Sequence, residues 1–153
     1  MSLEVKDVDH GYKARLKALL RLRTPAHIDV GVFASSGAHG GDGASTLDIA
    51  NYNEFGTESI PARSFIRAWF DEGEAKLRTD LSTLMRSVAA GKRTRAQVLE
   101  LLGQRMVGQV QERISAGIDP PNADSTKQQK RSSTPLIDTG VLRSSITYRV
   151  VGE

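Results

Sequence analysis

No cysteine occurs in this 153-residue chain, which excludes disulfides, thiolate nucleophiles and thiolate-ligated zinc. Histidine is scarce: His10, His27 and His39 have no partner at the i, i+4 spacing of a helical metal pair. Long apolar runs are missing too. The opening "MSLEVKDVDHGYKARL" alternates charged with apolar residues and lacks the core of a signal peptide or membrane span, predicting a soluble protein not secreted by that route. Neither sign of charge dominates, with 21 basic against 18 acidic residues. The densest basic groups, Lys92 to Arg95 and Lys127 to Arg131, fall in expected loops or helix ends and read as solvated turns. Aromatic residues make up only 5% of the chain, four Phe, three Tyr and one Trp, yet five of them lie between Ile49 and Glu72.

What is present describes one α+β domain over residues 1–153: a small antiparallel sheet packed against a long antiparallel helix pair, with flexible loops near 35–45 and 119–134. Tyr12, Leu16, Leu19, Leu20 and Leu22 give a helical face near Val8 to Arg23, stopped by Pro25. "HIDVGVFA" then alternates Ile28, Val30 and Val32 against polar or small residues, the period of a half-buried strand. Ser45 or Thr46 caps a short helix reaching Phe55, and Gly56 closes it in a backbone conformation that side chains disfavour. After Pro61, a stripe of Phe65, Ile66, Trp69, Phe70, Leu77, Leu81, Leu84, Met85 and Val88 predicts a long helix ending before Gly91. Thr94 and Gln97 form a capping box for a second long helix, with Val98, Leu101, Leu102, Met106, Val110 and Ile114 as its apolar set and Gly117 as its stop. The polar 119–134 stretch predicts a flexible excursion, and Ile146, Tyr148 and Val150 alternate as a last strand.

Catalytic patterns find no footing. The glycine-rich run from Ser35 to Ser45 lacks the lysine and hydroxyl residue that complete a phosphate loop, since Ala44 follows Gly43. There is no G-x-S-x-G elbow, and the Asp71-Glu72 and Asp119-Asp124 pairs show no sign of desolvation. A non-enzymatic protein without cofactor or metal is therefore expected.

Two blocks carry a family resemblance. "YNEFGTESIPARSFIRAWFDE", followed much later by "TPLIDTGVLRSSITYRV", resembles the tail-completion and head–tail joining proteins of tailed bacteriophages, small neck or minor tail components. In that family an acid-aromatic-glycine-threonine group ends a helix, a proline-alanine-arginine-aromatic group opens a long one, and a leucine-aspartate-threonine-glycine group precedes a late strand. The matching positions include Glu54, Phe55, Gly56, Thr57, Ile60, Pro61, Ala62, Arg63, Phe65 and Ile66. In the later block they include Pro135, Leu136, Asp138, Thr139, Gly140, Leu142, Arg143, Ser144, Ser145 and Ile146. The resemblance implies a structural virion component, active as a homo-oligomeric, typically hexameric ring at the neck. Its implied partners are the connector or head-closure protein, the tail terminator or tail tube, and DNA in passing, with no membrane. A tail terminator and a small basic nucleic-acid-binding protein are the competing readings.

Read physically, the first block predicts a corner at which Tyr52, Phe55, Phe65, Trp69 and Phe70 fold onto one another across the Gly56-to-Pro61 elbow. Arg63 and Arg67, side by side at the positive end of the long helix, call for a facing acid. Glu54, Glu58 and Asp138 are the candidates to meet Arg63, within the chain or from a neighbouring subunit. In the second block Asp138 or Thr139 is expected to cap one helical turn, with Leu142 and Ile146 inward and Arg143 outward, and the last strand's free edge could extend a sheet between subunits.

Overall fold

The computed structural model describes residues 11–21, 25–34, 44–121, 136 and 140–152. Among them the elements run α1 (Tyr12–Arg21), β1 (His27–Gly31), α2 (Thr46–Phe55), α3 (Arg67–Ala89), α4 (Arg95–Ala116), α5 (Val141–Ser145) and β2 (Thr147–Val151). The class is α+β, as the alternation and helical periods predict.

Helix α4 is the spine. Val98, Leu102, Val110 and Ile114 recur in multiples of four along it and all are buried, so the buried stripe winds around the helix, since each four-residue step drifts by about 40°. Thr94 caps the helix: its hydroxyl accepts from the Gln97 amide while the Gln97 side chain accepts from the Thr94 amide, and Gly117 follows the last turn. Helix α3 runs antiparallel to it. Glu72 pairs with Arg113 at 2.5 Å, and Asp80 meets Arg105 at 2.9 Å in an ion pair out of hydrogen-bond alignment. Trp69 Nε1 donates to Gln109 across the same seam.

The sheet lies on α4. β1 and β2 pair antiparallel, His27 opposite Val151 through Gly31 opposite Thr147. Two strands alone are marginal in water, so the face bearing Ile28, Val30, Tyr148 and Val150 depends on its support. Tyr148 supplies that link. Its ring lies against Gly103, where an added Cβ would collide with Cδ2, and its hydroxyl donates to Glu100. The outer face carries a cross-strand pair, Arg149 Nε to Asp29 at 2.8 Å, with the guanidinium over the Phe33 ring.

One core joins the two sequence blocks. Phe65 and Trp69 from the first pack with Leu136, Leu142 and Ile146 from the second, together with Ala50, Val110 and Ile114. Each of the larger aliphatic side chains and the Phe65 ring contributes on the order of 1.5–3 kcal/mol through burial.

Several expectations change. The long helix starts at Arg67 rather than beside Pro61, because Phe65 and Ile66 belong to the turn that enters it. Leu16 and Leu20 of α1, Leu81 of α3 and Leu101 of α4 are exposed rather than inward, so those stripes are narrower than the apolar spacing suggests. The strand expected over residues 27–34 closes at Gly31. Most of the two expected loops, residues 35–43 and 122–134, lies outside the described residues, as do Pro135, Asp138 and Thr139.

Candidate functional site

The elbow between α2 and α3 concentrates the unusual chemistry. It begins with a well-made helix: Ser45 accepts from the Asp48 amide, and the Asp48 carboxylate accepts from the Ser45 amide and hydroxyl. Those bonds, the side-chain one foremost, hold the Asp48 carboxyl below its ordinary value. At the other end the Gly56 amide donates to the Tyr52 carbonyl with φ +77° and ψ 170°, a region open essentially to glycine alone. A Cβ there would fall 2.9 Å from the Ala62 nitrogen and 3.0 Å from the Ile60 oxygen. Thr57 then closes the turn twice, its amide donating to the Ile60 carbonyl and its hydroxyl accepting from the Ile60 amide. Pro61, exposed, leads into Ala62, and the Arg63 amide returns to the Asn53 carbonyl at 2.6 Å.

Glu54 is the centre of this turn. Its buried carboxylate accepts from the Ser64 hydroxyl at 2.6 Å and from the amides of Phe65, Ile66 and Arg67 at 2.8, 3.0 and 2.9 Å. Helix α3 has no side-chain cap from its own N-cap residue, Ile66. Instead a carboxylate from the previous helix satisfies three amides that a helix start leaves orphaned, and it sits where the helix dipole favours negative charge. Burial pushes the Glu54 carboxyl up, but the bonds from Ile66, Ser64, Arg67 and Phe65 outweigh it, and the carboxyl ends below its ordinary value.

The sequence is right that an acid faces the start of α3, and it mistakes what that acid binds. Glu54 holds backbone, not Arg63. The buried Arg63 turns away, its Nε donating to the Pro120 carbonyl at 2.7 Å and its Nη2 to the Pro121 carbonyl at 3.2 Å. Glu58 does not pair with it either, and Asp138 lies outside the described residues. Nor do Arg63 and Arg67 stand side by side. Arg63 precedes the helix, while Arg67 reaches out to lie over the Phe55 ring, 5.3 Å from its centroid.

The expected aromatic corner is only half a corner. Phe65 and Trp69 are buried, but Tyr52, Phe55 and Phe70 are 44%, 62% and 46% exposed. Phe70 lies edge-to-face with the buried Trp69, at 6.4 Å between ring centres.

The second block reaches the same core from the other side. Gly140, in the left-handed conformation, is the N-cap of α5, and the two residues expected to cap this turn, Asp138 and Thr139, lie outside the described residues. Leu142 and Ile146 are buried as expected. Arg143 stays outside, Nη1 on the Ser115 hydroxyl at 3.1 Å, and its carbonyl accepts from Gln111. Sequence reasoning missed the parts played by Ser64, Pro120, Pro121 and Gly103. The clue to the first was the residue itself: Ser64 is a cap-type residue just ahead of the long helix, and its hydroxyl accepts from the Ala68 amide at 3.2 Å.

No metal-holding group of His, Asp and Glu residues occurs among the described residues. No family model, curated protein or solved structure matches the chain.

Proposed function

We propose that the chain is a structural subunit of a tailed phage or prophage, a ring-forming component that completes the tail and joins it to the head. The observation that supports this reading is the use made of the two resembling blocks. Glu54, Gly56, Thr57 and Arg63 knit the elbow, while Phe65, Leu142 and Ile146 enter a single core. The blocks thus serve a stiff shape, and the elbow turns an aromatic row outward. A protein whose task is to hold neighbours in a fixed geometry requires both.

On this reading its partners are further copies of itself, typically six to a ring, with a connector or head-closure protein on one side and a tail terminator or tube on the other. Among the described residues no helix is long and apolar enough to cross a membrane. Electron microscopy of a phage deleted for the gene tests the role. Full heads beside unattached tails of normal length are expected. Overlong tails would replace joining by termination, and normal virions would overturn both.

A further inference from the structure

Two surface features at opposite ends of the α3–α4 hairpin lack partners. At its root, Tyr52 and Phe55 stand one turn apart on α2, and Arg67 and Phe70 one turn apart on α3. Arg67 over the Phe55 ring joins the two pairs into one exposed row. Two exposed carboxylates, Glu58 and Asp71, flank the row, and neither has an ion-pair partner among the described residues, whereas Glu72, Glu74 and Asp80 are all engaged.

The tip is the electrostatic opposite. Residues 81–99 contain four basic side chains and no acid. Arg86, Lys92 and Arg93 among them are exposed and unpaired within the described residues. The first turn of α4 also lacks an acid.

Root and tip of one molecule cannot meet. Phe70 and Arg86 lie on one continuous helix, sixteen positions apart, a separation of about 24 Å at the rise of an α-helix. We propose that the aromatic, acid-flanked root of one copy docks on the basic tip of the next, a head-to-tail contact between copies of this chain. Cations of the tip then cover the open faces of Tyr52 and Phe70, as Arg67 already covers Phe55, and pair with Glu58 and Asp71. Because the two patches differ, the contact is heterologous, and repeating it closes a ring when its rotation divides a full turn. The inference rests on the ring-forming reading above and names the surfaces that build the ring.

Charge reversal tests it. One variant carries Glu58→Lys and Asp71→Lys, a second Arg86→Glu and Arg93→Glu. All four positions are exposed, and circular dichroism checks that both variants fold. Sedimentation velocity is expected to show the wild type as an assembly and each variant alone as a monomer, with association weakened about tenfold or more. An equimolar mixture is expected to reassemble, because each reversed root then faces an acceptable tip. Variants that assemble like the wild type, or a mixture that stays monomeric, would overturn the docking and leave the ring intact. A wild type that is monomeric at every concentration would overturn the ring reading itself. Tip reversal that abolishes binding to duplex DNA but leaves assembly unchanged would assign the tip to a polyanion and remove the docking.

Discussion

The two long helices start in opposite ways. α4 is capped by its own sequence, Thr94 and Gln97 exchanging bonds within one turn on an exposed surface. α3 is capped from ten residues upstream by the buried Glu54, which also orders the turn between the helices. A local cap holds only its own helix, and its loss frays one end. A remote cap couples two helices, so whatever disturbs it disturbs their relative placement. The chain puts the remote cap at the root, beside the exposed aromatic row, where geometry matters for a neighbour. The tip, joined by a short polar link, is left to local rules.

The widest gap between the two designs should appear on removing Glu54. Glu54→Ala leaves three amides and the Ser64 hydroxyl without their acceptor, one of those amides, that of Phe65, in a buried bond. Unmet buried donors cost roughly 1–3 kcal/mol each, less where water enters, so a loss of about 3 kcal/mol is expected from urea unfolding midpoints. A loss below about 1 kcal/mol would mean that water replaces the carboxylate and that the helices are not coupled through it. The same group sets an acid limit. Its folded value lies below the ordinary 4.5, so its contribution is complete above that pH and is lost as pH falls through the lowered value. Glu54→Gln should flatten that part of the profile, while the contribution of Asp48, also lowered from its ordinary 3.8, remains in both proteins.

The contrast also explains what could be read in advance. Thr94-x-x-Gln97, Ser45 before Asp48 and the alternation of Ile28 and Val30 are local rules, and the structure follows them. The Glu54 cap is not local. Its donors lie ten to thirteen residues away, beyond a turn whose path depends on Gly56 and Thr57. An acid was rightly expected near the start of α3, but a guanidinium looks like its natural partner in a sequence, and backbone amides carry no letter. The aromatic row failed for a related reason. Hydrophobic residues at helical spacing mark a face without saying whether that face turns to the core, and here Phe65 and Trp69 turn inward while Tyr52, Phe55 and Phe70 stay exposed. Gly103 was overlooked because a glycine inside a helix shows no periodicity; only the Tyr148 ring, brought in from β2, explains it.

Smaller effects distinguish backbone from side-chain constraints. Gly56→Ala places a methyl group against the Ala62 nitrogen and the Ile60 oxygen at a φ of +77°. Backbone atoms cannot swing aside, so about 2 kcal/mol of destabilisation is expected in thermal or urea unfolding. Gly103→Ala meets a ring instead, and the tyrosine can shift. Overpacking of about 1–3 kcal/mol is partly offset by the roughly 1 kcal/mol that alanine gains over glycine in a helix. The diagnostic readout is local: amide exchange in β2 should quicken, since displacing Tyr148 loosens the sheet from α4. Equal exchange in both proteins would show that the ring is not what holds the sheet.

The smallest effect is the one the sequence foretold best. Thr94→Ala removes a single exposed acceptor from the start of α4, at a cost of about 1 kcal/mol. Gln97→Ala should cost less, since the exposed Thr94 amide it releases can turn to water. Because the bonds are reciprocal, the double variant should fall short of the sum of the singles. None of these changes touches the root, so amide protection at Phe65, Ile66 and Arg67 should stay at the wild-type level. If Thr94→Ala lowered protection there as much as at the tip, the hairpin would be melting as one unit and the division between a locally capped end and a remotely coupled one would have to be given up.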